Sequence, residues 1–420
     1  MTGTKLSSTR GPTPWWSPRR RSSRELSDAA EGLAALRTAE GEAALTAARE
    51  AANGDPLAAA AALRARGHPP HVAAAALTQT DLRARAAGKF GDDAGRMFFT
   101  RDGLQQATRG VVAARRAARL AAFSGVRRIA DLCCGIGADA IAFARAGLTV
   151  HAVDADPVTA QVAAANAELL GLADRIVVAC ADAASVELAG FDAVFCDPAR
   201  RSGGRRVFDP GAYSPSWDFL AALPSRLPST VLKLGPGIDH ALIPSLAEAE
   251  WVSVSGDVVE AAFWHGPLAE VPRRATVIRG ADSGAELTGS GDRLGDVGPV
   301  RDVLYDPGGA VVRAHLVAEL ADRLDATLLD PTIAYLTGDT AVTTPFARAY
   351  RIEDVLPFSL KRLRAALRER GVGRVTIKKR GSALVPEQLR RELRLDGPAE
   401  ATVVLTRIRS RPYALLVSPL

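Results

Sequence analysis

The chain has 420 residues, of which 47% are hydrophobic and 24% are charged, and this balance excludes a wholly disordered protein. Its length predicts about two or three domains with buried cores, and its four cysteines are too few for a disulfide scaffold. No apolar run reaches the roughly 18 residues of a membrane helix, and the Arg-rich N-terminus lacks the apolar core of a signal peptide. We therefore expect a cytoplasmic protein with no membrane partner.

The net charge of +6 is unevenly distributed along the chain. Residues 1–24 carry six basic residues and no acid, and residues 345–420 carry 17 Lys and Arg against 7 Asp and Glu. The body between them, residues 25–344, has a net charge of −10. A coding bias explains the preference for Arg over Lys, but it does not explain this separation of sign. An acidic body with two basic ends predicts that the ends bind a polyanion.

The first part of the chain is predicted to be helical after a disordered tail. Residues 1–22 contain Ser, Pro and Arg around a Trp15-Trp16 pair and show no periodicity. From residue 23 to residue 122, Ala, Leu and Arg recur with helical spacing, interrupted by turn signals at 54–56 and 68–70. This pattern predicts an all-helical N-terminal module.

From residue 123 to residue 280, short apolar runs alternate with helical stretches, which is the pattern of a doubly wound sheet. Seven strands are predicted, at 128–132, 149–153, 176–179, 193–196, 230–234, 251–254 and 275–278. Helices are predicted between them at 138–146, 157–170 and 216–222. The predicted fold class is therefore α/β, with a Rossmann-like seven-stranded sheet.

The remaining chain is predicted to hold a linker and a small basic α/β domain. Residues 281–344 are interpreted as a linker and mixed α/β segment, because 281–300 are rich in Gly, Asp and Ser and 311–325 have helical spacing. In residues 345–420, Ser359 is predicted to cap a helix that ends at Gly371. The later elements are predicted as a strand at 375–377, a helix from about residue 386, and a hairpin of 402–408 with 413–417.

The strongest chemical signal is the stretch 129–139, Ile-Ala-Asp-Leu-Cys-Cys-Gly-Ile-Gly-Ala-Asp. A strand runs into a turn that contains Gly135 and Gly137 and then into a helix, so a ligand can approach the backbone and the free amides of the helix start. Asp131 closes this strand, and Asp154 closes the next one. An acid at the end of the second strand can accept hydrogen bonds from two ribose hydroxyls.

The pattern fits two ligands, a nicotinamide dinucleotide and S-adenosylmethionine, and the charge of Asp131 discriminates between them. A carboxylate at the turn would repel a pyrophosphate, whereas S-adenosylmethionine carries a cationic ammonium and a sulfonium and no phosphate. The methyl donor is therefore favoured. Asp182, just after the third strand, is predicted to accept from the adenine amino group.

The four cysteines suggest neither a metal site nor a nucleophile. Adjacent Cys133 and Cys134 lack the ligand spacing of a zinc site, and Cys196 points away from the face that Asp197 uses. Together with Cys180, they are interpreted as packed core thiols. No metal is expected.

At this point the sequence resembles the class I S-adenosylmethionine-dependent methyltransferases, and more narrowly the bacterial group with a C-terminal THUMP-like domain. The resemblance rests on five stretches: Leu104–Arg109, Asp131–Asp139, Asp197–Arg201, Tyr305–Pro307 and Ile377–Gly381. It implies that Asp131, Gly135, Gly137, Asp154 and Asp182 hold the methyl donor. It also implies that Asp197 faces the acceptor and that the substrate is RNA.

The chain departs from its relatives after Asp197. Enzymes that methylate exocyclic amines of bases carry a second proline and an aromatic residue at the positions of Ala199 and Arg200. A ring nitrogen, a carbon or a ribose hydroxyl is therefore favoured as the acceptor. Asp197 is the candidate base or orienting group, with a loop-capping acid as the alternative. Arg200 is the best candidate among the arginines of residues 200–206 for clamping an acceptor phosphate, with a solvated loop as the alternative.

The basic C-terminal domain predicts an RNA partner, tRNA or rRNA. Lys378, Lys379 and Arg380 are the candidate RNA-binding residues, together with the basic helix 361–368 and the Arg409/Arg411 hairpin. Aromatic residues are scarce there, which favours a folded RNA over a single strand. Two alternatives stay open: an RNA-binding protein whose methyltransferase domain is catalytically silent, and a small-molecule methyltransferase. A dehydrogenase is a more distant third.

Overall fold

The computed structural model of the chain describes residues 23–51, 55–200, 213–280 and 284–420. Within these ranges, the side chains of residues 23–28 and of Arg200 are not described. The predicted tail at 1–22 and the arginines at 201–206 therefore lie outside the described residues. None of the described helices combines the length and the apolar character needed to cross a membrane.

The first of two compact units, Met1–Leu227, begins with six helices, α1 to α6. Their bounds are Ser23–Leu36, Ala39–Ala51, Pro56–Ala65, Pro70–Phe90, Arg101–Gln106 and Gly110–Ala122. Asp55 caps α3 by accepting a hydrogen bond from the Leu57 amide, as the turn signal there predicts. Leu63 and Ala76 have no exposed surface and belong to the core of this region. The helical N-terminal module is thus confirmed within the described residues.

Four parallel strands, β1 to β4, form the sheet of the first unit in the order β4-β1-β2-β3. Their bounds are Arg128–Leu132, Thr149–Asp154, Ile176–Cys180 and Ala193–Cys196. Helices α7 (Ala138–Arg145) and α8 (Pro157–Leu169) connect the first three strands. A two-residue ribbon of β5 (Ala199–Arg200) and β6 (Tyr213–Ser214) precedes helix α9 (Trp217–Arg226). The four strands share one carboxyl edge, where open α/β sheets bind ligands.

The second unit, Pro228–Leu420, starts with five strands in the order β11-β10-β8-β9-β7. The bounds of β7 to β11 are Thr230–Leu234, Glu248–Val254, Asp257–Trp264, Arg273–Ile278 and Ala285–Gly289. Three of them complete the seven predicted strands, all of which are present. Strand β9 was not predicted, because its residues from Glu260 to Trp264 are buried in succession and show no alternation. It runs antiparallel to both of its neighbours, β7 and β8.

Strand β8 begins at Glu248, three residues before its predicted start. The prediction missed this part of the strand because it contains two acids, which are buried in the structure. Glu248 accepts a hydrogen bond from Arg274 Nε at 2.7 Å. Glu250 accepts from Trp264 Nε1 at 2.8 Å and from Thr276 Oγ1 at 2.6 Å. Sequence patterns count such acids as loop residues, although partners on neighbouring strands compensate their burial.

The structure also refines the prediction for residues 281–325. Strand β11 lies within the predicted linker and pairs with β10. The single helix predicted at 311–325 is two helices, α10 (Gly309–Arg313) and α11 (Val317–Leu324). His315 lies between them with a left-handed φ of 59°, a conformation that a continuous right-handed helix excludes.

A seven-stranded sheet completes the second unit, in the order β13-β14-β12-β15-β18-β17-β16. The bounds of β12 to β18 are Val303–Pro307, Thr327–Asp330, Ile333–Gly338, Ala347–Pro357, Val372–Lys379, Ala399–Ile408 and Arg411–Pro419. Helices α12 (Leu360–Glu369) and α13 (Pro386–Leu393) pack their leucines against β16, β17 and β18. Helices α12 and α13 and strands β16 to β18 follow the predicted order of the C-terminal domain. Strand β15 was not predicted, and β12, β13 and β14 come from the predicted linker and mixed segment. Ser359 precedes α12 as predicted, but its side chain makes no capping hydrogen bond.

Candidate functional site

The turn between β1 and α7 is held in a conformation that leaves its backbone open. Cys133, Gly135 and Gly137 have left-handed φ values of 64°, 56° and 87°. No atom lies within 4 Å of the place where a Cβ on Gly135 would stand, whereas a Cβ on Gly137 would contact Ala163 of α8 at 3.5 Å. Gly135 therefore faces open space that a ligand can enter, and Gly137 allows close packing of the turn on α8.

Asp131 is a fully buried carboxylate at the end of β1. Among the described residues, neither of its oxygens has a hydrogen-bond partner, which is rare for a buried charged group. Burial raises the pKa of Asp131 well above its usual range, and the nearby charges of Asp139 and Asp197 raise it further. A buried carboxylate without a hydrogen-bond partner in the described residues fits a ligand that brings a cationic donor.

Asp154 joins the end of β2 to the glycine turn. Its Oδ2 accepts from the Gly135 amide at 2.9 Å, and its Oδ1 accepts from the Asp156 amide at 2.9 Å. Burial raises the pKa of Asp154, and these two backbone hydrogen bonds oppose that shift. Each carboxylate oxygen keeps a second lone pair, so the pair remains able to accept from two ribose hydroxyls.

Asp182 and Asp197 lie at the same carboxyl edge of the sheet. Asp182 follows β3, whose Cys180 pairs with Asp154, and its Oδ1 accepts from the Ala184 amide at 2.9 Å. The Asp197 amide donates to the carbonyl of Leu132 at 3.2 Å, which places Asp197 beside the end of β1. The structure thus brings together all five predicted donor-binding residues and Asp197.

The residues after Asp197 form the β5–β6 ribbon, in which Arg200 pairs with Tyr213. The rings of Tyr213 and Trp217 have centroids 6.3 Å apart. The Arg200 side chain is not described, so its predicted phosphate clamp stays a prediction.

Residues 96–108, which include most of the Leu104–Arg109 stretch of the family resemblance, pack against the glycine turn. Asn166 of α8 accepts from the Phe98 amide at 2.7 Å and donates to the carbonyls of Phe98 and Ile136, each at 3.0 Å. A Cβ on Gly103 would collide with the side chain of Ile136. This segment therefore forms a wall of the candidate donor site.

Lys89 of α4 shapes the same segment. Its ammonium donates to the carbonyls of Leu104, Gln105 and Ala107 at 2.6, 2.9 and 3.0 Å. A lysine has three donors around one nitrogen, which suits three converging carbonyls better than a planar guanidinium does. Lys89 is the only lysine between residues 5 and 233 of an Arg-rich chain. That isolated lysine is a sequence signal for this wall, beside the Leu104–Arg109 stretch of the family resemblance.

We expect Asn166→Ala to destabilise the protein by about 2–4 kcal/mol, because it leaves a buried amide and two carbonyls without partners. Gln161→Ala, an exposed change on the same helix, should alter stability by less than about 0.5 kcal/mol. Urea denaturation of the two variants measures the difference. Equal stability of both variants would contradict the assigned role of Asn166.

The three predicted RNA-binding residues differ in how free they are. Lys378 Nζ and Arg380 NH2 share Asp306, donating to its two oxygens at 3.1 and 3.0 Å. Lys378 lies 5.2 Å from the ring centre of Tyr350, and both cations are about a quarter exposed. Lys379 is exposed and donates to the Leu384 carbonyl at 2.8 Å. Two of the three cations are therefore partly neutralised inside the second unit.

Five exposed cations of this region lie at one edge of the seven-stranded sheet. Strand pairing places Pro357 opposite Tyr413 and Lys379 opposite Leu405, so the ends of β15, β16 and β17 and the start of β18 share this edge. We call it the basic edge; its exposed cations are Lys361, Arg362, Lys379, Arg409 and Arg411. The opposite edge mixes both signs: Arg368, Glu369, Arg370, Arg374, Glu392, Arg394, Asp396 and Glu400.

Comparison with known proteins identifies the family of this chain. Relatives from Mycobacterium tuberculosis strains CDC 1551 / Oshkosh and H37Rv, each described as an uncharacterized S-adenosylmethionine-dependent methyltransferase, are 37% identical over 349 residues. That match covers 78% of this chain and 91% of theirs. The chain belongs to the S-adenosylmethionine-dependent methyltransferases. The resemblance seen in the sequence is thereby confirmed, and S-adenosylmethionine is the cofactor of this family.

Parts of this methyltransferase match three domain families. Residues 126–213 match the RNA cap guanine-N2 methyltransferase family, residues 347–419 the THUMP domain-like family, and residues 28–86 a domain family of unknown function. A crystal structure from Porphyromonas gingivalis W83, assigned as a methyltransferase, aligns with a TM-score of 0.70 and 21% identity. It covers 94% of this chain and 98% of the other. That likeness confirms the Rossmann-like α/β fold.

Within the described ranges of this methyltransferase, no group of three or more His, Cys, Asp or Glu side chains is arranged to hold a metal ion. All four cysteines are free thiols, and Cys134 and Cys196 are buried, as predicted. Cys133 is half-buried. Cys180 is exposed, because it ends β3, the last strand in the sheet order, so the prediction of a packed core thiol is wrong there. The pKa of Cys196 is raised well above its usual range, mainly by a hydrogen bond with the Cys133 thiol and next by burial. The thiol is thus held protonated, as expected for a packed core cysteine.

Proposed function

We propose that this protein transfers a methyl group from S-adenosylmethionine to a structured RNA, tRNA or rRNA. The observation that carries the proposal is the buried, unpartnered carboxylate of Asp131 beside the open turn at Gly135. The family matches to an RNA methyltransferase and to a THUMP-like domain support RNA as the acceptor. An RNA of this kind would place the enzyme in the cytoplasm.

The division of labour follows the predicted domains. Residues 23–122 cover the donor site, residues 123–280 form the methyltransferase domain, and residues 345–420 form the RNA-binding domain. The segment 281–344, predicted as a linker and mixed α/β segment, lies between the last two, and its strands β12, β13 and β14 belong to the seven-stranded sheet. The tail at 1–22 belongs to none of them.

In the donor site, each predicted residue has a distinct role. Asp131 accepts from the ammonium group, and Asp154 accepts from the two ribose hydroxyls. Gly135 and Gly137 let the ligand lie against the backbone of the turn. Asp182 accepts from the adenine amino group. When bound, S-adenosylmethionine supplies an electrophilic methyl group on its sulfonium.

On the acceptor side, Asp197 orients the nucleophilic atom and takes up the proton that the atom loses. Positioning contributes most of the rate in such an in-line displacement, and a single base contributes typically about 10²- to 10⁴-fold. Arg200 is proposed to hold a phosphate of the acceptor.

The residues after Asp197 bear on which class of atom accepts the methyl group. The profile that matches residues 126–213 belongs to a family that methylates guanine N2, an exocyclic amine. Ala199 and Arg200 depart from the proline and aromatic residue typical of exocyclic amine methylation. Product analysis distinguishes such an amine from a ring nitrogen, a carbon and a ribose hydroxyl.

We expect a deletion strain to lack one methylated nucleoside in its tRNA or rRNA. Mass spectrometry of digested RNA from the strain and its parent measures this loss. Complementation with the wild-type chain should restore the nucleoside. Complementation with Asp197→Ala should form it at less than about 1% of the wild-type rate, because the general base is lost.

Two other outcomes would reject parts of this proposal. Unchanged RNA nucleosides with a missing methylated metabolite would favour the small-molecule methyltransferase. Full restoration by Asp197→Ala would show that the assigned base is wrong.

A further inference from the structure

Arg116 of α6 is a buried cation next to the donor site. It is 2% exposed, and its guanidinium pairs with Asp139 at the start of α7. Its Cζ lies 4.7 Å from the ring centre of Phe195 in β4. The other oxygen of Asp139 accepts from the hydroxyl of Thr108, itself in the wall segment 96–108. A buried arginine is costly unless its charge is compensated, so this pair is a specific feature of the site.

The groups that face Asp131 come from four elements. Asp139 lies on α7, Asp197 follows β4, Asp154 ends β2, and Arg116 lies on α6. Arg116 is the one cation of this set, and it lowers the pKa of Asp131 while burial and the three acids raise it.

We propose that Arg116 is a positioning residue of the donor site: it anchors Asp139 under the glycine turn and offsets the negative charge around Asp131. This inference rests on the proposed function, in which Asp131 receives the ammonium group of the donor. An ionised carboxylate attracts an ammonium strongly, and a protonated carboxyl does not. Arg116 therefore acts on donor binding through Asp131, without touching the donor.

The test measures binding of S-adenosylhomocysteine by calorimetry between pH 5 and pH 8. This ligand keeps the ammonium group and lacks the sulfonium charge, so it isolates the contact with Asp131. In the wild-type chain, affinity should fall as pH decreases and Asp131 takes up a proton. In Arg116→Gln, the midpoint of that fall should move to higher pH by about one unit or more, because the counter-charge is gone.

A second variant predicts the opposite shift. Asp139→Asn removes a negative charge that faces Asp131, so its midpoint should move to lower pH. Arg116→Lys keeps the cation and should stay close to the wild-type midpoint. Arg145→Gln is the matched control, since it breaks an Arg–Asp pair on the surface of α7, with Asp93, and should shift nothing.

The outcomes separate this inference from the proposed function. A wild-type affinity that does not depend on pH would remove Asp131 from the donor site. A pH-dependent wild type whose midpoint is the same in Arg116→Gln and Asp139→Asn would overturn the role of Arg116 alone. A purely structural Arg116 would lower thermal stability in both variants and move neither midpoint. If Arg116→Gln does not fold, the shift in Asp139→Asn decides.

Discussion

Replacing Asp131 with Asn is expected to weaken binding of S-adenosylmethionine by about 30- to 1000-fold, which corresponds to about 2–4 kcal/mol for losing one partner of a buried charge pair. The carboxylate is fully buried and has no hydrogen-bond partner of its own. Its pairing with an ammonium group would therefore be worth more than a solvent-exposed contact. Calorimetric titration of the purified variant measures the loss directly.

The same substitution should stabilise the ligand-free protein. Because burial raises the pKa of Asp131 above its unfolded value, the ionised carboxylate destabilises the fold once the pH exceeds that unfolded value. Asp131→Asn should thus raise the melting temperature at pH 8 and change it less at about pH 3, below the unfolded pKa, where the carboxyl is mostly protonated in both states. Weaker binding together with higher stability excludes a simple folding defect.

Asp192→Asn provides the control for this prediction. Asp192 lies at the opposite, amino end of β1, where it accepts from the amides of Arg127 and Arg128. The substitution Asp192→Asn removes the same charge from the same sheet as Asp131→Asn, and it should leave the affinity for S-adenosylmethionine unchanged. Equal losses in the two variants would indicate a general charge effect and would contradict the assigned site.

The common location of the candidate donor-binding residues was predictable because these residues follow local rules. Strands β1 to β4 are short apolar runs, and residues at the carboxyl ends of parallel strands must meet at one edge. That rule places Asp131, Gly135, Asp154 and Asp182 together without knowledge of any long-range contact. The glycine turn adds its own conformational signal, since Gly135 and Gly137 have left-handed φ values.

What could not be predicted depends on partners far apart in the chain. The contact of Asn166 with Phe98 spans 68 residues, and the pairing of Lys378 with Asp306 spans 72. No periodicity or motif encodes such pairs. Likewise Arg116 sits on a helix whose other arginines are more exposed, and only its position against Asp139 identifies it. A buried charged side chain thus marks both the missed Arg116–Asp139 pair and the missed strand β9, which carries Glu260.

The basic edge carries the second large prediction. Neutralising Lys361, Arg362, Arg409 and Arg411 to Gln should weaken RNA binding by about 100- to 1000-fold at about 0.1 M salt. These four side chains make no ion pair within the described part of the chain, so their charges are available to phosphates. Each phosphate contact releases about 0.7 counterions, so the four side chains should also contribute about three units to the slope of log affinity against log salt concentration.

The opposite edge of the same sheet supplies a matched control. Replacing Arg368, Arg370, Arg374 and Arg394 with Gln removes the same four charges from the same domain. Two of these arginines already pair with acids, Arg370 with Asp354 and Arg374 with Glu400. Fluorescence anisotropy with a folded tRNA over a salt series should show a small loss for this set. Similar losses and slopes in both sets would mean that net charge, and not the basic edge, governs RNA binding.

Donor binding separates an RNA defect from misfolding in this experiment. The donor site lies in the first unit, and the basic edge lies in the second. The basic-edge variant should therefore bind S-adenosylmethionine as the wild type does while losing its affinity for RNA. If RNA affinity and its salt slope were unchanged by the four substitutions, the acceptor would have to be bound elsewhere. The positive charge of the C-terminal domain would then have no part in substrate binding, and the small-molecule methyltransferase would be favoured.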